Sequence, residues 1–292
     1  MWCAREGRWD ALGGASCLSR KVRNGTVAEL VELNKLLVHL RVTKDHQLVY
    51  LPIDPAKAVF ATFGDAALQT KGELDCQAGL VIGVTTRELK AGEPARINLV
   101  AGRSGKIERV CGSSLIVECH AQLGATACTE WVQQIYGGLA NSNHDVKGPR
   151  KHMNAWMEGQ PVGNHSVLAV RADCDERLAE HLLVTDAKSL FDGLEREARG
   201  KEPRVAIAIG ELKQSMAAIG MIPRWLPHNE MLADPLTKYV SKANLGPLLR
   251  TMKTGMFKLT SEADEKAHRE HIKASGGNLQ RLKGKAVLED TS

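Results

Sequence analysis

Residues 59–102 have the sequence VFATFGDAALQTKGELDCQAGLVIGVTTRELKAGEPARINLVAG, and this stretch decides the fold class. It contains three short apolar runs, at 59–63, 79–86 and 95–102, separated by Gly, Asp, Glu and Pro. Short apolar runs bounded by turn-forming residues are typical of consecutive antiparallel strands. The stretch therefore predicts a three-stranded antiparallel unit, with Asp65 directly after its first strand.

Beyond residue 113, helical and strand patterns alternate. A helix is predicted from about Ser114 to Tyr136, because apolar residues recur at helical spacing. HLLVTD (181–186) is typical of a short buried strand, SLFDGLERE (189–197) of a short helix, RVAIAIGELKQSMAAIG (204–220) of a longer helix and MIPRWLP (221–227) of a last strand. The predicted stripe of the first helix is Ile116, Cys119, Leu123, Ala127 and Trp131, and that of the longer one is Val205, Ile209, Leu212, Met216 and Ile219.

Strands first, followed by alternating strands and helices, predict an α/β fold. The expected architecture is a mixed five-stranded sheet with helices on both faces. Residues 1–50 are interpreted as an N-terminal extension ending in an amphipathic helix, TVAELVELNKLLVHLR, whose predicted stripe is Val27, Leu30, Val31, Leu37 and Leu40. Residues 51–240 form the predicted main domain, in which the Gly-, Pro-, Asn- and His-rich segment 141–180 is a surface insertion, and residues 241–292 form a C-terminal helix and flexible tail.

The net charge, the cysteine pattern and the length of the apolar stretches limit the kinds of protein that this chain can be. The net charge of +5 over 292 residues permits contact with a polyanion, and the 43% hydrophobic content is enough for a core. Seven cysteines without a C-x-x-C pair indicate neither a disulfide framework nor a zinc knuckle, so a reduced intracellular setting, cytoplasmic or nuclear, is expected. No apolar stretch approaches the ~18 residues of a membrane span, so no membrane partner is expected.

Four carboxylates are the candidate functional groups: Asp65, Glu118, Asp186 and Asp234. Each also has an ordinary structural interpretation. Asp186 and Asp234 precede predicted helical turns and suit an N-cap, Glu118 lies in the first turns of a helix, and Asp65 follows a glycine. However, the ends of adjacent strands converge, which would gather all four acids in one cleft. Mg²⁺ prefers such an all-oxygen ligand set.

The surroundings of these acids resemble the ribonuclease H domain that ends the Pol polyprotein of copia-type LTR retrotransposons. The resemblance covers roughly residues 26–260 and is carried by FGDAAL (63–68), GRSGKIERVCGSSLIVECHAQLGA (102–125), VTDAKSL (184–190) and ADPLTK (233–238). The chain departs from the family where a Trp usually precedes the R-S-x-K phrase and where CQAG (76–79) replaces S-Q-G-G. The spacing between Glu118 and Asp186 is also longer than usual.

The resemblance implies a ribonuclease H-like fold and a metal-dependent endoribonuclease that cuts the RNA strand of RNA–DNA hybrids. Asp65, Glu118, Asp186 and Asp234 would hold two Mg²⁺ or Mn²⁺ ions, and His228 would assist proton transfer or product release. The polymerase part of a longer polyprotein is an implied partner. Arg103, Lys106 and Arg109, with the hydroxyls of Ser104 and Ser113, are expected to contact a nucleic-acid strand, whereas KGPRKH (147–152) is interpreted as a solvated loop.

Two alternatives stay open at this point. The first is a catalytically inactive or repurposed domain that binds nucleic acid or protein through the same fold, since a fold does not determine a function. The second is another nuclease or an integrase of the same superfamily, against which the order of the acids and the ADPLTK ending argue. A metal site requires that the carboxylates lie within a few ångströms of one another, whereas helix caps do not.

Overall fold

The computed structural model describes residues 2–68, 76–109, 111–140, 181–195 and 203–260. The strands are β1 (Val59–Leu68), β2 (Cys76–Thr85), β3 (Ala95–Ile107), β4 (His181–Thr185), β5 (Met221–Trp225) and β6 (Met256–Phe257). The helices are α1 (Trp2–Glu6), α2 (Leu12–Lys21), α3 (Val27–Val42), α4 (Arg87–Lys90), α5 (Ser114–Ala140), α6 (Lys188–Glu195), α7 (Pro203–Ile219) and α8 (Gly246–Thr254). The predicted insertion at 141–180, including KGPRKH, and the tail beyond 260 lie outside the described residues.

The strands form one mixed sheet in the order β5-β4-β1-β2-β3-β6. Strands β1, β2 and β3 pair antiparallel, as the apolar runs predict, whereas β4 is parallel to both β1 and β5. The predicted mixed sheet is therefore confirmed, with the two-residue strand β6 added at the β3 edge. The position of Asp65 was predicted wrongly: β1 continues to Leu68, so Asp65 lies inside the strand, opposite Gly79.

Helices cover both faces of the sheet, as expected. Side chains alternate along β1, so Phe60 packs with Ala125 of α5 while Phe63 faces the opposite apolar cluster. Helix α5 begins at Ser114, as predicted, but extends to Ala140. Its 27 residues are about 40 Å long, more than the roughly 33 Å of a ten-residue strand. Trp131, predicted to be in the buried stripe, is 67% exposed.

The N-terminal residues pack against the sheet face opposite α5. Trp9 and Leu12 are buried in the same apolar cluster as Phe63 and Leu99, and the Trp9 ring lies against Gly102 of β3. Helix α3 follows a capping box in which Thr26 and Glu29 bond reciprocally. The predicted stripe of α3 is wrong: Leu30 is 60% exposed, and Leu36 faces the core instead.

A polar cluster explains the rotation of α3. Asp10 is fully buried and accepts hydrogen bonds from Arg8, while the His39 Nε2 atom lies 2.6 Å from Asp10 Oδ2. Arg8 also donates to Thr43, one turn beyond His39. These contacts turn the His39 side of α3 inward, and hydrophobic periodicity alone does not contain this information.

After β5 the chain forms a compact buried segment. Met231, Leu232, Ala233 and Leu236 are all fully buried. The 3-10 turn Asp234–Leu236, called here the Asp234 turn, has Pro235 near its start, where proline is favoured. It lies against α2 on one side and β2 on the other, because Gly13 and Gly79 let the backbones approach closely. Within the described ranges, no helix is both long and apolar enough to cross a membrane.

Candidate metal centre

Three carboxylates from three different elements meet at one point. One oxygen each of Asp65, Glu118 and Asp186 lies within 4.8 Å of the other two. Asp65 is on β1, Asp186 directly follows the neighbouring parallel strand β4, and Glu118 is on α5, which packs across β1. The Gln122 side chain, one turn after Glu118, donates to the Gly64 carbonyl at 2.7 Å. This bond fixes α5 beside Asp65.

Asp65 is a buried carboxylate, only 3% exposed. Burial raises its pKa to about 7, and repulsion from Asp186 adds to the shift. The Thr237 hydroxyl donates to Asp65 Oδ2 at 2.7 Å and partly offsets the shift. Asp65 therefore lies in surroundings where its negative charge is poorly compensated by the protein alone.

The charged form of Glu118 is disfavoured even more strongly than that of Asp65. Burial, followed by repulsion from Asp65 and Asp186, raises its pKa to about 9. Its Oε2 atom is buried and has no hydrogen-bond partner among the described residues. A buried polar atom without a partner is costly and calls for an explanation. A cation at this point would satisfy the orphaned oxygen and the excess negative charge together.

The donor set fits a hard divalent cation. Its ligands are carboxylate oxygens only, and Mg²⁺ and Mn²⁺ are bound by such oxygens, whereas zinc favours Cys and His. Among the described residues the cluster contains no thiol or imidazole ligand. Asp65, Glu118 and Asp186 together can therefore bind a metal ion.

Asp234, the fourth predicted ligand, lies beside this cluster but has other partners. Lys238 Nζ forms an ion pair with its Oδ1 atom, and the backbone N–H of Asn244 donates to its Oδ2 atom at 2.9 Å. The charge of Asp234 still raises the pKa of Asp65. The structure thus gathers the four predicted acids as a cluster of three with Asp234 adjacent and ion-paired.

His228 lies at the mouth of the cluster, where the sequence places it. Its Nδ1 atom is 2.5 Å from Asp186 Oδ2, and its Nε2 atom is 3.4 Å from Asp234 Oδ1. Its pKa is raised, mainly by the hydrogen bond to Asp186. The side chain is 62% exposed, so the imidazole bridges two acids and still faces solvent.

The three predicted cationic contacts line a groove. Arg103, Lys106 and Arg109 are exposed at the end of β3 and border a cavity of about 350 Å³ between β3, α5 and α7. His120 also lines the groove; it lies two residues after Glu118 on α5, on nearly the opposite side of the helix, and its pKa is lowered by burial and by Arg109. Glu108 and Glu211 line the same groove, so its three cationic side chains exceed its acidic ones by one.

The two predicted hydroxyl contacts already have partners within the protein, and contact of the half-buried Ser113 with nucleic acid stays a prediction. Ser104 is buried, donates to the Leu236 carbonyl at 2.5 Å and accepts from Gln77 Nε2 at 2.7 Å. Side chains alternate along β3, which turns Ser104 away from Arg103 toward the Asp234 turn. The Ser113 hydroxyl accepts from Ile116 N at 3.4 Å and caps α5. The structure therefore corrects the prediction that Ser104 contacts nucleic acid.

Two further residues of the site were missed, although both lie in the ADPLTK motif. Thr237 and Lys238 follow Asp234 by three and four residues, and the Asp234 turn brings both side chains back onto the acids. Groups three and four residues apart are neighbours on a helical turn. The sequence contained a signal for both residues: Pro235 directly after Asp234 indicates a helical turn, and such a turn brings Thr237 and Lys238 back to Asp234.

Comparison with known proteins gives a limited result. No protein-family model and no curated sequence matches the chain. Among solved structures, it is similar to the N-terminal RNase H domain of a Mycobacterium tuberculosis protein, with 12% identity and a TM-score of 0.34 over 66% of this chain and 99% of that one. It is also similar to RNase H1 of Halobacterium salinarum, with 11% identity and a TM-score of 0.33 over 65% and 97% of the two chains.

A third similar structure is an RNase H1 isolated from compost, in complex with an RNA/DNA hybrid, with 14% identity and a TM-score of 0.34 over 62% of this chain and 93% of that one. The strand order, the strand directions and the helices on both faces decide the fold. The fold is ribonuclease H-like.

Proposed function

We propose that the chain is a metal-dependent endoribonuclease that cuts the RNA strand of RNA–DNA hybrids. One observation carries the proposal: Asp65, Glu118 and Asp186 converge around a buried Glu118 oxygen that has no described partner. Helix caps at separate places would not converge in this way. The four sequence motifs support the same reaction class, and on them alone we propose descent from a retrotransposon polyprotein.

Asp65, Glu118 and Asp186 would hold Mg²⁺ or Mn²⁺ through one carboxylate oxygen each. Bound there, the metal would supply Lewis-acid activation of water and stabilisation of the leaving oxygen. Thr237 holds Asp65 in its orientation by a hydrogen bond. His228 holds Asp186 through Nδ1, and its exposed imidazolium would donate a proton to the leaving oxygen. A second ion would require Asp234, which Lys238 and Asn244 engage.

The groove beside the cluster is suited to a nucleic-acid backbone. Arg103, Lys106 and Arg109 would neutralise phosphates without recognising sequence. The RNA strand of a hybrid differs from DNA by its 2′-hydroxyls, which are displayed in the wide minor groove. The proposed substrate is therefore a hybrid, with the RNA strand at the carboxylates and phosphates along the groove.

One observation favours a second candidate, a hybrid-binding module that no longer cleaves. The ion pair between Lys238 and Asp234 engages a carboxylate that the resembling family uses as a ligand. Such a module would retain the cationic groove and bind hybrids with the usual dependence on salt. It would show no metal-dependent product.

The test compares cleavage by the wild type, Asp65→Asn and Asp186→Asn over a titration of Mg²⁺ and Mn²⁺. Each substitution keeps the shape of the side chain and removes the charge, so we expect the rate to fall by more than about 100-fold with the fold intact. Glu93→Gln removes an exposed carboxylate elsewhere and is the matched control. Single-stranded RNA and duplex DNA should be cut poorly by all four proteins.

Circular dichroism checks that each variant is folded. Equal hybrid cleavage by the wild type and both carboxylate variants would refute the assigned site. A folded wild type that binds hybrid but yields no product at any metal concentration would establish the binding module in place of the nuclease.

A further inference from the structure

Asp234 differs from the other three acids in how its charge is compensated. It is buried, and each of its oxygens has a partner from the segment that follows it: Lys238 at Oδ1 and the Asn244 backbone N–H at Oδ2. Glu118, in contrast, has a buried oxygen without a described partner. The protein therefore places a cation in direct contact with Asp234, whereas Glu118 keeps a buried oxygen without a described partner.

The ammonium group of Lys238 acts on the whole site. It contacts Asp234 directly, and its positive charge lowers the pKa of both Asp65 and Glu118. The charges of Asp65 and Asp186 stabilise the ammonium in turn. Half-buried between these acids, Lys238 has the charge and place that a second metal ion would have between Asp234 and the cluster.

We propose that Lys238 is the built-in second cation of this site, so that the free protein binds one divalent ion at Asp65, Glu118 and Asp186, and Asp234 is excluded from coordination. This role presupposes the metal centre proposed above and fixes its stoichiometry. Lys238 is thus a positioning residue that acts through Asp234. A second ion could enter only where Lys238 leaves Asp234, since two cations cannot share one buried carboxylate oxygen without repulsion.

Ion counting tests the proposal without any cleavage assay. Mn²⁺ is titrated into the full chain, and the free ion is measured by electron paramagnetic resonance, with Asp65→Asn as the baseline for adventitious binding. We expect one bound ion in the wild type and two in Lys238→Gln, which removes the charge but keeps a hydrogen-bond donor. Lys238→Arg retains the charge and should return the count to one.

The double variant Lys238→Gln with Asp234→Asn tests whether the second ion in Lys238→Gln is bound by the Asp234 carboxylate. It should bind one ion, because the carboxylate that the second ion needs is gone. If Lys238→Gln does not fold, Lys238→Met is used, which fills a similar volume without charge, and the wild-type count stands on its own.

Two ions in the wild type, or one ion in the folded uncharged variants, would overturn the role of Lys238 and leave the nuclease proposal standing. No ion in the wild type above the Asp65→Asn baseline would instead overturn the metal centre, and the role of Lys238 with it. The two failures are therefore distinguishable.

Discussion

Asp65 and Glu118 are destabilising residues when they are charged and no cation is bound. Burial and mutual repulsion raise their pKa values to about 7 and about 9, above the ordinary values of 3.8 and 4.5. The folded protein therefore binds protons that the unfolded chain has already released between about pH 4 and pH 9. Stability must fall as pH rises through that range, because ionisation of these carboxylates favours the unfolded state.

We predict that the melting temperature of the metal-free protein decreases from pH 5 to pH 9, with a loss of stability on the order of a few kcal/mol. Glu118→Gln should flatten the decrease, because the amide mimics the protonated acid. Mn²⁺ should raise the melting temperature more at pH 8 than at pH 6, since metal ions compete with protons for the carboxylates. Differential scanning calorimetry with and without chelator measures both effects. An equally steep decrease in Glu118→Gln would contradict the assignment.

Asp10 shows the opposite behaviour. Burial raises its pKa, but hydrogen bonds from His39 and Arg8 outweigh burial and hold the value at about 2. Its contribution to stability is present above the unfolded pKa near 3.8 and is lost as pH falls toward 2. We predict that Asp10→Ala costs about 3–5 kcal/mol, since it removes the buried carboxylate that pairs with both Arg8 and His39.

Chemical denaturation of Asp10→Ala measures that cost. Lys35→Ala, which breaks the half-exposed pair with Glu32, is the control and should cost less than about 1 kcal/mol. A similar small effect for both variants would mean that the buried cluster does not anchor the N-terminal residues.

At the level of single residues, the sequence predicts which acids belong to the site but not how each is compensated. The motifs select Asp65, Glu118, Asp186 and Asp234 by residue type and local context, and oxygens of the first three lie within 4.8 Å of one another. Their pKa values depend on burial and on neighbours distant in the chain: Thr237 reaches Asp65 across 172 positions. The structural role of Ser104 is hidden for the same reason, since its partner is the carbonyl of Leu236.

Among the elements, the contact between α2 and the Asp234 turn determines the position of Asp234. A Cβ atom at Gly13 would lie 2.0 Å from the Pro235 carbonyl oxygen and 2.8 Å from Leu236 Cα. Both are backbone atoms, so the conflict cannot be relieved by a side-chain rotation. Gly13 is therefore the contact through which the N-terminal helix fixes the turn that carries Asp234, Thr237 and Lys238.

We predict that Gly13→Ala displaces the Asp234 turn, destabilises the protein by about 1–3 kcal/mol and reduces hybrid cleavage. Gly7→Ala is the matched control, because a Cβ at Gly7 has nothing within 4 Å. Thermal melts and cleavage rates of both variants check the prediction. Wild-type stability in Gly13→Ala would show that α2 and the turn are not held together as described.

Whether an element could be predicted from the sequence depended on how regularly its apolar residues are spaced. Strands β1 to β5 and the helices α5, α6 and α7 are predicted because their apolar residues recur at strand or helix spacing, whereas the two-residue strand β6 is too short for such a pattern. Helix α2, LGGASCLSRK, is rich in Gly and Ser, so its sequence does not predict a helix, and tertiary packing overrides its weak propensity. Ten of the 16 residues of α3 are apolar and they lie on more than one side of the helix, so periodicity could not identify the buried face, and the Asp10 cluster decides it.

For the molecule as a whole, the separation of charge is the feature relevant to substrate binding. Acidic groups converge at the junction of β1, β4 and α5, whereas Arg103, Lys106 and Arg109 line the neighbouring groove. A polyanion can approach the carboxylates only if its phosphates are neutralised close by. The groove provides that neutralisation independently of the metal centre.

We predict that neutralising Arg103, Lys106 and Arg109 to Gln together lowers the slope of log affinity against log salt by about one unit per lost phosphate contact. Lys253→Gln, an exposed cation on α8, is the control and should leave the slope unchanged. Fluorescence anisotropy with a labelled hybrid in a chelating buffer measures the slope without cleavage. An unchanged slope in the triple variant would place the binding surface elsewhere.

The contact between Gly13 and Pro235 also determines when this protein can fold. It closes a loop of more than two hundred residues, and loop closure of that length slows folding because its entropic cost precedes any gain from contacts. During synthesis, α2 leaves the ribosome long before the turn on which it packs. The side of α2 at Gly13, which packs on Pro235 and Leu236, therefore stays incompletely packed until residue 236 emerges, and we expect the nascent chain to expose apolar surface during most of its synthesis.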